Sequence, residues 1–220
     1  MLKVDLHVHT RHSADSLTRP EELLAWMERR GIDRLAVTDH NSIEGAFETA
    51  ALDPGAIIIG EEIRTTRGEI IGLFLSEFVP PELSPMATVD RIRAQGGLVY
   101  VPHPMDGLRG SALARDALEA LVPHVDLIEG HNARVLSQRH NERAIGFARL
   151  HGLPIGAGSD AHRPQDLGLA YVEMAPFEDA AGFMASIVQG RIHGRLVGPM
   201  GRLSGVYARL AKRVGIGGEA

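Results

Sequence analysis

The chain has 220 residues, 44% hydrophobic and 23% charged, with a net charge of −5 and no cysteine. That length and balance predict one globular domain with a substantial core. They exclude a disulfide framework and any thiolate site, and they argue against a broad nucleic-acid-binding surface, which is normally basic.

Residues 1 to 9 alternate in polarity and carry Lys3, Asp5 and two histidines, unlike the apolar core of a secretory signal. No uninterrupted apolar run reaches transmembrane length. A cytoplasmic protein with no membrane partner is the expectation.

Strand-like and helix-like segments alternate along the chain. Leu2 to Val8 reads as a strand, with Val4, Leu6 and Val8 on one side and Asp5, His7 and His9 on the other. Thr18-Arg19-Pro20-Glu21 reads as a helix start, with Thr18 as cap, Glu21 three residues on and Pro20 placed early. Leu23, Leu24, Trp26 and Met27 give its apolar stripe, and Gly31 its end. Leu35 to Val37 is a short strand ending at Thr38-Asp39-His40, and Ser42 to Ala51 a helix. Ala56 to Ile59 is a strand running into Gly60-Glu61-Glu62, and Glu69 to Leu75 is another. Ser84-Pro85 opens a helix through Ala94. Leu98 to Val101 is a strand ending at Pro102-His103-Pro104, and Ala112 to Leu121 is helical. Val125 to Ile128 is a strand ending at Glu129-Gly130-His131-Asn132, followed by a long helix from Arg134 to His151. Leu153 to Ala157 is a strand ending at Gly158-Ser159-Asp160-Ala161-His162. Gly168 to Met174 reads as a last strand and Phe177 to Gln189 as a helix. Tyr207 to Val214 lies in a basic amphipathic segment. Its Arg202, Arg209, Lys212 and Arg213 read as a solvated helix face, and Gly215 to Ala220 as a frayed end.

Repeated strand-then-helix units predict a parallel sheet with helical cover. A closed or nearly closed barrel fits their number and regularity. A doubly wound open sheet is the alternative, although no Gly-x-Gly-x-x-Gly follows the first strand.

Polar residues able to hold a metal recur where strands end: His7 and His9, Asp39 and His40, Glu61 and Glu62, His103, Asp160 and His162. In a parallel barrel the strand C-termini converge on one mouth. Imidazole and carboxylate suit zinc, manganese or iron, and several carboxylates together bridge ions in phosphoryl-ester hydrolysis. Each fragment alone has an ordinary reading: a satisfied histidine, a turn at Thr38-Asp39-His40, a helix cap at Asp160. Their joint placement at strand ends is what singles them out.

Asp5-Leu6-His7-Val8-His9-Thr10, Thr38-Asp39-His40, Gly60-Glu61-Glu62-Ile63, Pro102-His103-Pro104 and Gly158-Ser159-Asp160-Ala161-His162 resemble, in order, the motifs of the PHP (polymerase and histidinol phosphatase) domain family. The resemblance spans about residues 1 to 200, leaving 201 to 220 as a C-terminal basic helix and frayed tail. It implies a distorted, TIM-barrel-like (β/α)7 barrel and a phosphoesterase site holding two or three divalent metal ions, Zn, Mn or Fe. By the resemblance His7, His9, His40, Glu62, His103, Asp160 and His162 are metal ligands. Asp15 stands where members have Asp or His, and Glu62 rather than Glu61 falls on the Gly-x-Glu pattern and bridges metals. Many members carry a further histidine on the strand after that glutamate, and Arg67-Gly68-Glu69-Ile70-Ile71-Gly72 has none. Either Glu69 substitutes as a ligand, altering the metal preference, or the position is empty and the third metal is weak or absent.

Further roles stay open at this stage. Asp39 orients a ligand or caps a turn; Asp5 supports a ligand or forms a structural ion pair. His131 and Asn132 end another strand, and the resemblance puts an Asn-Ala-Arg-like element at the site mouth. Arg134 is then a phosphate anchor, or else an ordinary first-turn helix residue. Arg11 and Arg163, beside ligand motifs, are further substrate-binding candidates. Asp39, Arg134 and His131 are auxiliary catalytic candidates around a metal-bound water. A water bridging metal ions, its pKa lowered, attacks phosphorus as hydroxide. The leading expectation is a hydrolase acting on a small phosphorylated metabolite or nucleotide, with no stable nucleic-acid complex. The alternatives are a 3′-5′ exonuclease-type phosphodiesterase and a non-enzymatic metal-binding regulatory domain.

Overall fold

The computed structural model describes residues 1–107 and 110–215. Its strands are β1 Leu2–Val8, β2 Arg34–Val37, β3 Ile57–Thr65, β4 Gly68–Leu73, β5 Leu98–Val101, β6 Leu127–Asn132, β7 Ile155–Gly158, β8 Ala170–Met174 and β9 Arg191–Gly194. Its helices are α1 Pro20–Arg30, α2 Glu44–Leu52, α3 Pro85–Ala94, α4 Arg115–Leu121, α5 Gln138–Leu150, α6 Ala180–Ile187 and α7 Pro199–Arg213. The expected strand–helix alternation is there, and so is the barrel.

Strands β1 to β7 pair in chain order, with β8 and β9 added beyond β1. One edge of β1 serves two partners. Its first half, Leu2–Val4, pairs antiparallel with β8. Past its second half, the Asp160 N–H donates to the His7 carbonyl (2.7 Å) and the His9 N–H to the Ala161 carbonyl (3.0 Å), bringing the end of β7 round to β1. Asp5 fastens this seam: its carboxylate accepts the backbone N–H of Ser159 (2.8 Å) and of Gly168 (2.9 Å). Among the described residues Asp5 is therefore neither half of an ion pair nor a direct support of a histidine ring; its hydrogen bonds come from backbone N–H groups. The interior of the near-closed barrel is filled, as Gly156 shows. A methyl group there would press on Tyr100 from β5 and Leu6 from β1, strands that are not its neighbours in the sheet order.

The uniform parallel barrel needs three corrections, the first being the antiparallel pairing of β8 with β1. Strand β4 runs antiparallel to both β3 and β5. Only Thr66 and Arg67 link β3 to β4, with Gly68 at φ +122°. That is hairpin length, and a parallel crossover needs a dozen residues or more. Also, β9 pairs antiparallel with β8, a strand the sequence pattern did not reveal, so among the described residues the sheet has nine strands, one more than the eight read from the sequence and two more than the seven the resemblance implies.

Simple alternation also fails on β1. Its register against β2 shifts between Asp5 and Val8. Val4 and Leu6 pack with Tyr100 and Leu127, whereas Val8 packs with Leu23 of α1 and with Leu35 and Val37. Such an irregularity re-aims the side chains that follow it, and those here are His7 and His9.

Helix boundaries shift for local reasons. Helix α1 is capped at Arg19, whose N–H donates to Glu22 (2.9 Å), because the Thr18 carbonyl is taken by the Arg11 N–H in the preceding loop. Gly31 closes that helix in the left-handed region at φ +61°. Ser84 caps α3 as expected, accepting from the Ala87 N–H. Helix α5 begins only after its Ser137 cap, so Arg134 lies in a loop and not in a first helical turn. Helix α7 starts before Tyr207, and residues 216–220 of the expected frayed end lie outside the described residues. Among the described residues no helix is long and apolar enough to cross a membrane.

Candidate metal centre

The expected ligand residues His7, His9, Asp15, His40, Glu62, Glu69, His103, Asp160 and His162 all meet at one end of the barrel. Glu62 is the hub. Its Oε2 lies 3.2 Å from His7 Nε2, 3.4 Å from His9 Nε2 and 3.1 Å from His40 Nδ1, and its Oε1 lies 3.0 Å from His103 Nε2. Asp160 Oδ1 lies 3.4 Å from His9 Nε2 and 3.3 Å from His162 Nδ1. Asp15 Oδ1 stands 3.2 Å from His162 Nε2 and 3.7 Å from His40 Nε2. Glu69 closes the far side, its oxygens 3.8 Å from His40 Nδ1 and 3.7 Å from His103 Nε2. Three overlapping triads have donor atoms mutually close enough to share an ion: His9, His40 and His162; His7, His9 and Glu62; His40, Glu62 and Glu69.

Three of the imidazoles, those of His7, His9 and His162, are oriented from behind. His9 Nδ1 faces the Ser13 hydroxyl at 3.0 Å, and that hydroxyl already donates to Asp39 at 2.6 Å. A hydroxyl has one proton, so it accepts from His9 Nδ1–H, which leaves the His9 Nε2 lone pair facing the cluster. His162 Nδ1 lies 2.9 Å from the Asp160 carbonyl, which can only accept, so its Nε2 likewise carries a free lone pair. His7 Nδ1 is held by Glu129 at 3.0 Å. Glu129 is fixed in turn by the His103 N–H (2.7 Å) and the Asn132 amide (2.9 Å). The approach of His7 to Glu129 needs Gly158, where any Cβ would overlap both. Two cluster residues, His103 and Asp160, hold left-handed backbone at φ +31° and +53°. That strain persists only when the surroundings impose it.

The electrostatics follow from this crowding. Burial, with His162 and His40 nearby, holds His9 well below the ordinary histidine range, so it is neutral. Burial and Arg134 push His162 down as well. For His7 the burial penalty is outweighed by Glu62, Asp160 and Glu129, which raise it well above its ordinary value. His40 is raised by Glu62, Asp15 and Glu69 against its burial. Glu62 and Asp15 are held well below the usual carboxylate range, because the surrounding imidazoles outweigh their burial. Glu69 is raised by burial and by the nearby Glu62.

This donor set fits divalent metal ions. Among the described residues, buried His9 Nε2, Asp15 Oδ1, Glu69 Oε2 and His162 Nε2 have no hydrogen-bond partner, though buried polar atoms normally do. Neutral imidazole nitrogens and ionised carboxylate oxygens aimed at a shared volume are what such cations bind.

The auxiliary candidates divide. Arg134 lines a cavity of about 620 Å³ over the cluster, together with Asp15, His40, Arg64, Glu69 and Arg209 of α7. Its guanidinium reaches the Ser204 hydroxyl (3.5 Å) and pairs with no carboxylate among the described residues. Arg11 is turned to Glu48 (2.7 Å), as is His12. Arg163 grips Asp166 through two nitrogens at 2.8 and 2.9 Å. His131 is pressed against Gly194 of β9, because the β6 register shifts after Glu129. Among the described residues Asp39 has no hydrogen bond to an imidazole; it acts through Ser13 and also accepts the Thr10 N–H (2.7 Å). Sequence reasoning missed the roles of Ser13, Glu129 and Arg209. Glu129 carried a signal, as a carboxylate at a strand end beside the ligand motifs. Ser13 and Arg209 carried none.

Comparison with known proteins agrees with this geometry. The sequence profile of the PHP domain matches residues 5–92, and that of a PHP-associated region matches residues 138–192. An uncharacterized protein of Methanocaldococcus jannaschii is 44% identical over 116 residues, covering 47% of this chain and 68% of the relative. Another from the same organism is 36% identical over 177 residues, covering 79% of this chain and 71% of the relative. The crystal structure of a two-domain protein from Bacteroides vulgatus, containing a predicted PHP-like metal-dependent phosphoesterase, has a TM-score of 0.71 at 19% identity. That match covers 94% of this chain and 69% of the other. Motif order, near-closed barrel and sequence similarity lead to one conclusion: the chain belongs to the PHP domain family.

Proposed function

We propose that the protein is a metal-dependent phosphoesterase that releases phosphate from a small phosphorylated metabolite or nucleotide. The observation that carries this reading is the cluster itself: oriented imidazoles and ionised carboxylates around Glu62, beneath a cavity edged by arginines. The PHP-like metal-dependent phosphoesterase predicted in the Bacteroides vulgatus neighbour supports it. When bound, two or three divalent ions (Zn, Mn or Fe) supply water activation and neutralise charge on the phosphoryl group.

The protein's own residues do the rest. His7, His9, Asp15, His40, Glu69, His103, Asp160 and His162 hold the ions, with Glu62 central enough to be shared between them. Ser13 and Asp39 fix the His9 ring, and Glu129 fixes the His7 ring. Arg134, with no carboxylate to neutralise it, binds phosphoryl oxygens at the cavity wall. The chain's net charge of −5 favours a small substrate over a long polynucleotide.

Protein of known metal content, assayed with Mn2+ against a panel of phosphomonoesters including an aryl phosphate, tests the reading. Turnover that disappears with a chelator and returns with metal is expected. Fully metallated protein that hydrolyses no phosphate ester would sink it.

A further inference from the structure

Helix α7 is tied to the cluster mainly by polar links. The side chains it buries are small, Ala208 and Ala211, while Leu203, Tyr207 and Leu210 stay 65%, 65% and 55% exposed. Arg209 Nη2 donates to Asp15 Oδ2 at 2.7 Å. One turn on, Lys212 Nζ donates to the carbonyls of Arg11 and Ser13 at 2.5 and 2.6 Å. All three partners lie in the loop between β1 and α1. That loop carries Ser13, which orients His9, and Asp15, whose second oxygen faces His162 and His40.

A carboxylate with one oxygen fixed has the direction of the other fixed too. Arg209 takes Oδ2, so Oδ1 is left pointing at the imidazoles, buried and without a hydrogen bond. Lys212 pins the backbone on either side of His12, so the loop cannot swing Ser13 away from His9. The Arg209 side chain is 62% exposed, and an ion pair that open to water adds little to folding stability. Its geometric consequence is instead local to the cluster.

We propose that α7 is part of the metal centre: Arg209 and Lys212 are positioning residues that hold Asp15 and the Ser13–His9 pair in place for an outer ion shared with His40 and His162. The inference rests on the metal-holding reading above, and metal binding itself, not turnover, is its readout.

Chelator-stripped full-length protein and its Arg209→Met and Lys212→Met variants are titrated with Mn2+ and with Zn2+, and retained metal is counted by mass spectrometry. The expected result is selective. The weakest-held ion loses about tenfold in affinity, or drops out, as when a residue supporting a ligand is removed. The tighter ions and the metal-free melting curve stay as in the unmodified protein. Arg209→Lys, which keeps a cation in reach of Asp15, recovers most of the loss. Should Arg209→Met shift the metal-free melt, Lys212→Met, which removes hydrogen bonds to two backbone carbonyls and leaves the Arg209–Asp15 pair in place, carries the same expectation. Unmodified protein that holds ions, with both variants matching it in number and affinity, overturns the role of α7 alone. Unmodified protein that holds no ion overturns the metal centre and this inference with it.

Discussion

Glu61 and Glu62 are neighbours on β3, both without exposed surface, and they meet opposite fates. Glu62 faces the barrel mouth with Arg64, two residues on, which lines the cavity. Four imidazoles lie within hydrogen-bonding range or little beyond, and they hold its carboxylate ionised against the cost of burial. Glu61 faces the outer layer, as does Ile63, which packs against the helices. One Glu61 oxygen accepts the Val79 N–H at 3.0 Å, and the other has no partner. Burial therefore dominates, and Glu61 is pushed up to about 8. Depth alone does not decide the charge of a buried acid; the partners the sheet face supplies do.

The sharpest way to break the contrast is to neutralise each glutamate in turn. Glu62→Gln removes the charge shared by the whole cluster. Lewis-acid stabilisation is worth several kcal/mol, so phosphoesterase activity falls by about 10³-fold. Retained metal falls with it, as counted on purified protein. Glu61→Gln leaves kcat/KM within about twofold, since its side chain lies on the other face of the strand. Equal losses in the two variants would mean that the face of β3 does not separate their roles.

A smaller effect is expected one step behind the ligands. Glu129→Gln keeps an acceptor for the His103 N–H but weakens the grip on His7 Nδ1. Metal affinity or kcat/KM drops by about 10- to 100-fold, the usual range for such supports. A loss as large as that of Glu62→Gln would place Glu129 among the ligands.

The sequence made the inner face of this site legible and left its supports hidden. His7, His9, His40, His103 and His162 were conspicuous because polar residues at parallel strand ends converge whatever the loops between them do. Glu69 was legible as a departure in the pattern, and the structure brings it to the cluster from a strand that runs the other way. Short Thr66-Arg67 and the following Gly68 signalled that reversal, but the rhythm of the other units masked it. Glu129 showed only as a carboxylate at a strand end; it reaches His7 across 122 residues, and Arg209 reaches Asp15 across 194, distances over which local pattern names no partner. Pairing with a carboxylate misled the reading of Arg11, whose partner is 37 residues away, and of Arg163, whose partner is only three. Their proximity to ligand motifs suggested phosphate anchors, yet Glu48 and Asp166 take their guanidinium groups.

The smallest effect concerns Glu61 alone and is a stability effect. Its carboxyl is raised from an ordinary 4.5 to about 8, so the folded protein keeps a proton that the unfolded chain releases. Folding is then favoured by low pH through this group. Its contribution is full below about 4.5 and is lost as the pH rises through about 8. Glutamine keeps an acceptor for the Val79 N–H and cannot ionise. Metal-free unmodified protein should therefore lose melting temperature relative to Glu61→Gln as the pH is raised from 5 to 8. The imidazole cluster titrates in both proteins, so it cancels in the difference. Parallel melting curves across that range would show that Glu61 finds a cationic or hydrogen-bonding partner on the outer face, and the contrast between the two faces of β3 would then narrow to geometry alone.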